Sequence, residues 1–72
     1  MDHETDYLTW EDSYAIARRL MDDHPDVELD SISIKNIFDW TVNLPEFDDD
    51  VEICNDAILL AIYREWYEEA HS

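Results

Sequence analysis

The chain of 72 residues contains no glycine, one cysteine, two prolines and only four basic residues. Without glycine, turns that need a left-handed backbone have no natural occupant, and a turn-rich all-β fold is disfavoured. A single cysteine, Cys54, excludes an intrachain disulfide and fits a reducing, cytoplasmic setting. The opening residues MDHETD lack the basic and apolar regions of a signal peptide. The longest apolar run, Ala57 to Tyr63, is far shorter than the ~20 residues needed to span a bilayer. Four basic residues cannot supply the counterion-releasing contacts on which nucleic-acid affinity rests. No glycine-rich phosphate loop, Ser-His-Asp pattern or His/Cys metal spacing occurs, so an enzyme is not expected.

What the chain does have is acid. Asp and Glu number 20, giving a formal net charge of −16. Such a surface repels polyanions and anionic membranes and attracts basic proteins and divalent cations; halophilic adaptation produces the same composition. Hydrophobic residues make up 46% of the chain and include three Trp, four Tyr and two Phe, enough for a real core in one small domain.

Along the chain, residues 1–7 form a polar tail and 8–72 a single domain. Thr9 suits a helix N-cap, with Asp12 imitating the acid of a capping box. Trp10, Tyr14, Ala17 and Met21, with Ile16 and Leu20, then recur at helical spacing until Pro25. Residues 26–34 alternate apolar and polar, with Val27, Leu29, Ile32 and Ile34 apolar, which predicts an extended segment. Ser33 caps a second helix over roughly 34–43, with Ile34, Ile37, Phe38 and Thr41 inward and Trp40 off that stripe. A third helix is capped by Asn55 or begins nearer Asp50. Its core stripe is Ile58, Leu59, Ile62 and Trp66, widened by Leu60, Tyr63 and Tyr67, which predicts the central helix.

The stretch LPEFDDDVE at 44–52 gathers Asp48, Asp49 and Asp50 behind Phe47. A charge run of this kind is commonly a solvated turn. The alternative is a weak site for a divalent cation through hard oxygen ligands, although the spacing fails as an EF-hand. A second acidic group, Asp22, Asp23, Asp26, Glu28 and Asp30, is either a solvated helix end or a dock for a basic partner. His24 reads as a turn residue. Cys54, among acidic neighbours, reads as an unreactive, partly buried apolar residue. Met1-Asp2-His3 places a histidine where a free amino terminus could bind Cu(II) or Ni(II), or it is incidental.

Together LTWEDS (Leu8 to Ser13), HPD (His24 to Asp26), Trp40 with Leu44 and Phe47 to Asp50, and the pattern from Asn55 to Ala70 resemble the IscX (YfhJ) family. This is a family of small acidic proteins of bacterial iron–sulfur cluster assembly. The match runs without gaps from about Leu8 to Ala70. The resemblance implies a mainly α, modified winged-helix-like (helix-turn-helix-like) domain with three helices and minor short strands. It implies an accessory or regulatory protein, not an enzyme, that binds the cysteine desulfurase IscS through negative charge, overlaps frataxin in role and binds ferrous iron weakly. The metal candidates are Asp12, Asp48, Asp49 and Asp50, and the partner-binding candidates Asp22, Asp23, Asp26, Glu28 and Asp48 to Asp50. Trp10, Trp40 and Phe47 read as packing. A monomer is expected, with no nucleic acid or membrane among its partners. Val51 departs from the proline that the pattern places after the triple Asp, which predicts a less rigid loop. An acidic interaction or DNA-mimic module unrelated to iron is the alternative that composition leaves open.

Overall fold

The computed structural model describes residues 7–71, so most of the N-terminal tail, including Met1-Asp2-His3, lies outside the described residues. Three helices carry the fold: α1 (Ser13–Asp23), α2 (Ile34–Val42) and α3 (Asp56–Ala70). Short 3-10 turns occupy Leu29–Ser31 and Val51–Ile53. The mainly α class with three helices therefore holds. The expected minor strands reduce, among the described residues, to one isolated parallel bridge between Leu8 and Phe47.

Two of the helix starts follow local chemistry. The Ser33 hydroxyl accepts the amide of Asn36 while the Asn36 side chain accepts the amide of Ser33, a reciprocal cap that satisfies two otherwise orphaned donors. Asn55 caps α3 by accepting the amide of Ile58 at 3.0 Å. The first helix departs from expectation: it begins at Ser13, not beside Trp10. The acid half of the predicted box does form, because the Asp12 carboxylate accepts both the amide and the hydroxyl of Thr9 (3.1 and 3.2 Å). The reciprocal bond does not form, since the Asp12 amide goes to the Thr9 carbonyl at 2.9 Å and closes a turn. Trp10 sits in that turn, its amide committed elsewhere, and Tyr14 consequently lies exposed rather than in the core.

The extended segment predicted for 26–34 is also corrected. Its centre is a 3-10 turn in which the Ser31 amide donates to the Glu28 carbonyl at 2.8 Å. A lone strand here has no partner for its backbone groups, so a local turn satisfies them instead. The glycine-free composition carries through to the backbone: no described residue has a positive φ.

Leu59, Ile62 and Trp66 of α3 pack against Ile16, Ala17 and Leu20 of α1 and Ile37 of α2, with Trp10, Leu29 and Leu44 completing the core. Contact is most extensive between α1 and α3 and least between α1 and α2, so α3 is the central helix. Its predicted stripe is narrower than expected, because Leu60 and Tyr67 are exposed. Trp40, off the α2 stripe, meets His24 in a stacked pair at 4.0 Å and Trp66 at 6.2 Å.

Thr41 is fully buried, and its hydroxyl has no hydrogen-bond partner among the described residues. A buried unpaired hydroxyl carries its desolvation cost uncompensated. Thr41→Val keeps the branched shape and removes that group. The variant is expected to be more stable than the parent by about 1 kcal/mol, read as a higher urea midpoint with an unchanged slope.

Candidate functional site

The acidic loop is built by exchange between two chain segments far apart in sequence. The Leu8 amide donates to the Glu46 carbonyl (2.9 Å) and the Asp48 amide to the Leu8 carbonyl (2.8 Å). These two bonds form the parallel bridge and fix the register of loop against N-terminal strap. Phe47 turns inward and meets the buried Trp10 edge to face at 4.7 Å, while Phe38 of α2 stacks on Trp10 from another side at 6.0 Å. Phe47 thus pins the loop to the core, as its place in the sequence suggested.

Trp10 then holds the aspartates directly. Its amide donates to Asp49 Oδ2 and its indole Nε1–H to the Asp50 carbonyl, both at 2.9 Å. Asp49 Oδ1 accepts the amide of Asp50 at 2.7 Å, so both Asp49 oxygens are occupied by protein donors. Asp50 Oδ1 accepts the amide of Glu52 at 3.0 Å, capping the Val51–Ile53 turn. Asp48 is exposed, and its carboxylate has no hydrogen bond to a described residue. Three consecutive aspartates therefore hold three different positions: one structural, one half engaged as a cap, one with no hydrogen bond to a described residue. Although Val51 stands in place of the expected proline, the stretch after Asp50 is an ordered 3-10 turn.

Asp12, the fourth metal candidate, sits on the same strap but is bonded to Thr9. Among the described residues no three His, Cys, Asp or Glu side chains converge in a group that could hold a metal ion. The second acidic group lies around the C-terminal end of α1, with Asp22, Asp23, Asp26 and Glu28 all exposed. Asp23 is paired with Arg19 at 3.4 Å. Arg19 also donates to Glu46, at the entry to the acidic loop. This arginine, which the sequence reading passed over, links the two acidic groups. That bond holds the Glu46 carboxyl below its ordinary range and raises the Arg19 guanidinium.

Two other basic residues are also matched by acids: Arg18 lies 3.8 Å from Glu69, and Lys35 pairs with Asp39 at 3.1 Å within α2. Among the described residues none of the four basic side chains pairs with Asp48, Asp49 or Asp50. Cys54 is half-buried, and its thiol is pushed up by burial and then by the charge of Asp56. This leaves it protonated and unreactive at neutral pH.

The profile of a family described as iron–sulphur cluster assembly matches residues 8–71. The chain belongs to the IscX (YfhJ) family. It is also 36% identical over 62 residues to a Pseudomonas aeruginosa protein named "Uncharacterized protein PA3808", covering 86% of this chain and 94% of that one. The matched span begins at Leu8, the first residue of the strap that hydrogen-bonds the acidic loop. No helix among the described residues is long and apolar enough to cross a membrane.

Two outcomes follow from this geometry. Asp49→Ala strips acceptors from the Trp10 and Asp50 amides and is expected to cost about 1–3 kcal/mol, whereas Asp48→Ala should be nearly neutral; chemical denaturation separates them. The Arg19–Glu46 pair stabilises the fold above the unfolded Glu pKa, and that contribution is lost as pH falls through the depressed folded value. Glu46→Gln should therefore lose less stability than the parent when acidified below the ordinary Glu value of 4.5. The difference should be small because both side chains are partly exposed.

Proposed function

We propose that this protein is a non-catalytic accessory factor of iron–sulfur cluster assembly. On this reading it docks through its acidic surface on a basic face of the cysteine desulfurase IscS. It acts as a monomer in the cytoplasm and competes there with frataxin. The family membership supports the pathway. The observation that carries the docking reading is the loop itself, which Trp10 fixes through the Asp49 carboxylate and the Asp50 carbonyl, and in which no basic side chain among the described residues pairs with Asp48, Asp49 or Asp50. Ordered charge of one sign speeds encounter with a complementary surface and penalises wrong partners. The exposed acids around the end of α1 enlarge the same field, with Arg19 linking the two regions.

Ferrous iron enters this reading as cargo rather than as a resident cofactor. Carboxylates are suitable hard ligands, but Asp49 already accepts two N–H donors and no three ligands converge among the described residues. Asp48 and the unengaged oxygen of Asp50 would hold the ion through few protein bonds and mostly water. Affinity is then weak, and other divalent ions compete, because carboxylates alone do not select among them. Both iron delivery and modulation of the desulfurase fit such an arrangement.

The test is desulfurase binding by titration calorimetry across a salt series. Affinity should fall by roughly tenfold or more between low and high salt. The double variant Asp48→Asn/Asp50→Asn, which keeps Asp49 and a capping side chain at position 50, should bind more weakly and with a shallower salt dependence. Unchanged affinity in that variant would rule out the loop as the dock.

A further inference from the structure

Directly behind the aspartates, the 3-10 turn Val51–Ile53 places two branched apolar side chains in solvent: Val51 is 44% exposed and Ile53 54%. Single exposed apolar residues are ordinary. Ile53, with Val51 on the same turn, borders something more specific. Ile53 lines an open groove of about 510 Å³ together with Thr9, Trp10, Glu11, Asp49 and Ile58. The inner side of the groove includes the rigidly held Trp10 and the half-buried Ile58. Its rim is acidic, with Glu11 and Asp49 in the lining and Asp48, Asp50 and Glu52 next to it in the chain, and no basic residue among the described residues lines it. Position is fixed too, because Asp50 caps the turn that carries Val51 and Ile53, and Asp49 bonds the strap that carries Thr9 to Glu11.

We infer that this groove is the apolar centre of the docking surface, and that it receives an apolar side chain flanked by basic residues on the partner. The inference rests on the proposed docking role of the acidic loop and adds to it what the partner must present. Charge complementarity selects the occupant: an acidic partner segment would bring like charges together at the rim, and a purely basic one would leave Ile53, Val51 and Ile58 in water. Interfaces commonly combine a desolvated apolar anchor with a charged rim. The two parts do separable work. Rim charges set the association rate and its salt dependence, whereas the anchor sets residence time and is indifferent to salt.

Val51→Ala/Ile53→Ala truncates exposed groups only, so folding is preserved and is checked by denaturation. Desulfurase titrated against this variant should bind roughly five- to tenfold more weakly at every salt concentration, with the salt slope of the parent. Affinity equal to the parent's at all salts, or a loss confined to low salt, overturns the inference. A second arm does not need the desulfurase. The full-length protein, labelled for NMR, is titrated with a short synthetic peptide bearing one leucine between arginines, and with the same peptide bearing serine there. The leucine peptide should shift the Ile53 and Ile58 methyl signals several-fold more than the serine peptide; equal shifts overturn the groove. A desulfurase that fails to bind even the parent protein removes the functional reading, and the peptide arm then judges the groove by itself.

Discussion

The pair of hydrogen bonds from Trp10 to the acidic loop is the constraint on which most of the molecule depends. One donor is a backbone amide and the other the indole of the same residue, and they reach successive residues, Asp49 and Asp50. Trp10 is 3% exposed, and Phe38 and Phe47 contact its ring. An indole buried this deeply needs a partner for its N–H, and the loop carbonyl supplies one. Core packing and loop geometry are thereby one problem with one solution. Moving the loop would unpair a buried donor, and moving Trp10 would open the core between α2 and the loop.

That arrangement explains how a chain of such lopsided charge can present an ordered acidic surface. Adjacent carboxylates repel, and an unsupported loop would spread to relieve the repulsion. Here the backbone amides of Trp10, Asp50 and Glu52 donate to Asp49 and Asp50, so part of the negative charge is balanced by oriented N–H groups instead of side-chain cations. Arg18, Arg19 and Lys35 are meanwhile matched with acids other than these aspartates. What remains outward at the loop is negative charge beside a groove lined by Trp10, Ile53 and Ile58 as well as by Glu11 and Asp49, the combination on which the proposed docking role rests.

Much of the architecture was legible because the helices obey local rules. Ser33 and Asn55 cap where the sequence places them, Pro25 marks the end of α1, and the 3.6-residue stripes of α2 and α3 contain the residues that are buried. The misreadings share one cause. Thr9 to Asp12 carries a helix-start signature, yet the Trp10 amide serves Asp49, 39 positions away, and the helix waits until Ser13. The alternation at 26–34 is a fair strand signal, but a strand needs a neighbour, and none exists among the described residues. Leu60 and Tyr67 fit the apolar pattern of α3 and still face out, because α1 and α2 cover only one side of that helix.

The sequence alone determined the number and approximate place of the helices, the excess of negative charge and the family pattern, because capping, periodicity and net charge are set by neighbours in the chain. It also marked Asp48 to Asp50 as a unit. Only the tertiary structure decided that they are not equivalent. Their tasks are assigned by Leu8 and Trp10, brought to the loop through a bridge and two hydrogen bonds whose partners lie about 40 residues apart. No local pattern encodes a bond of that span, because it exists only once the core has closed around Trp10.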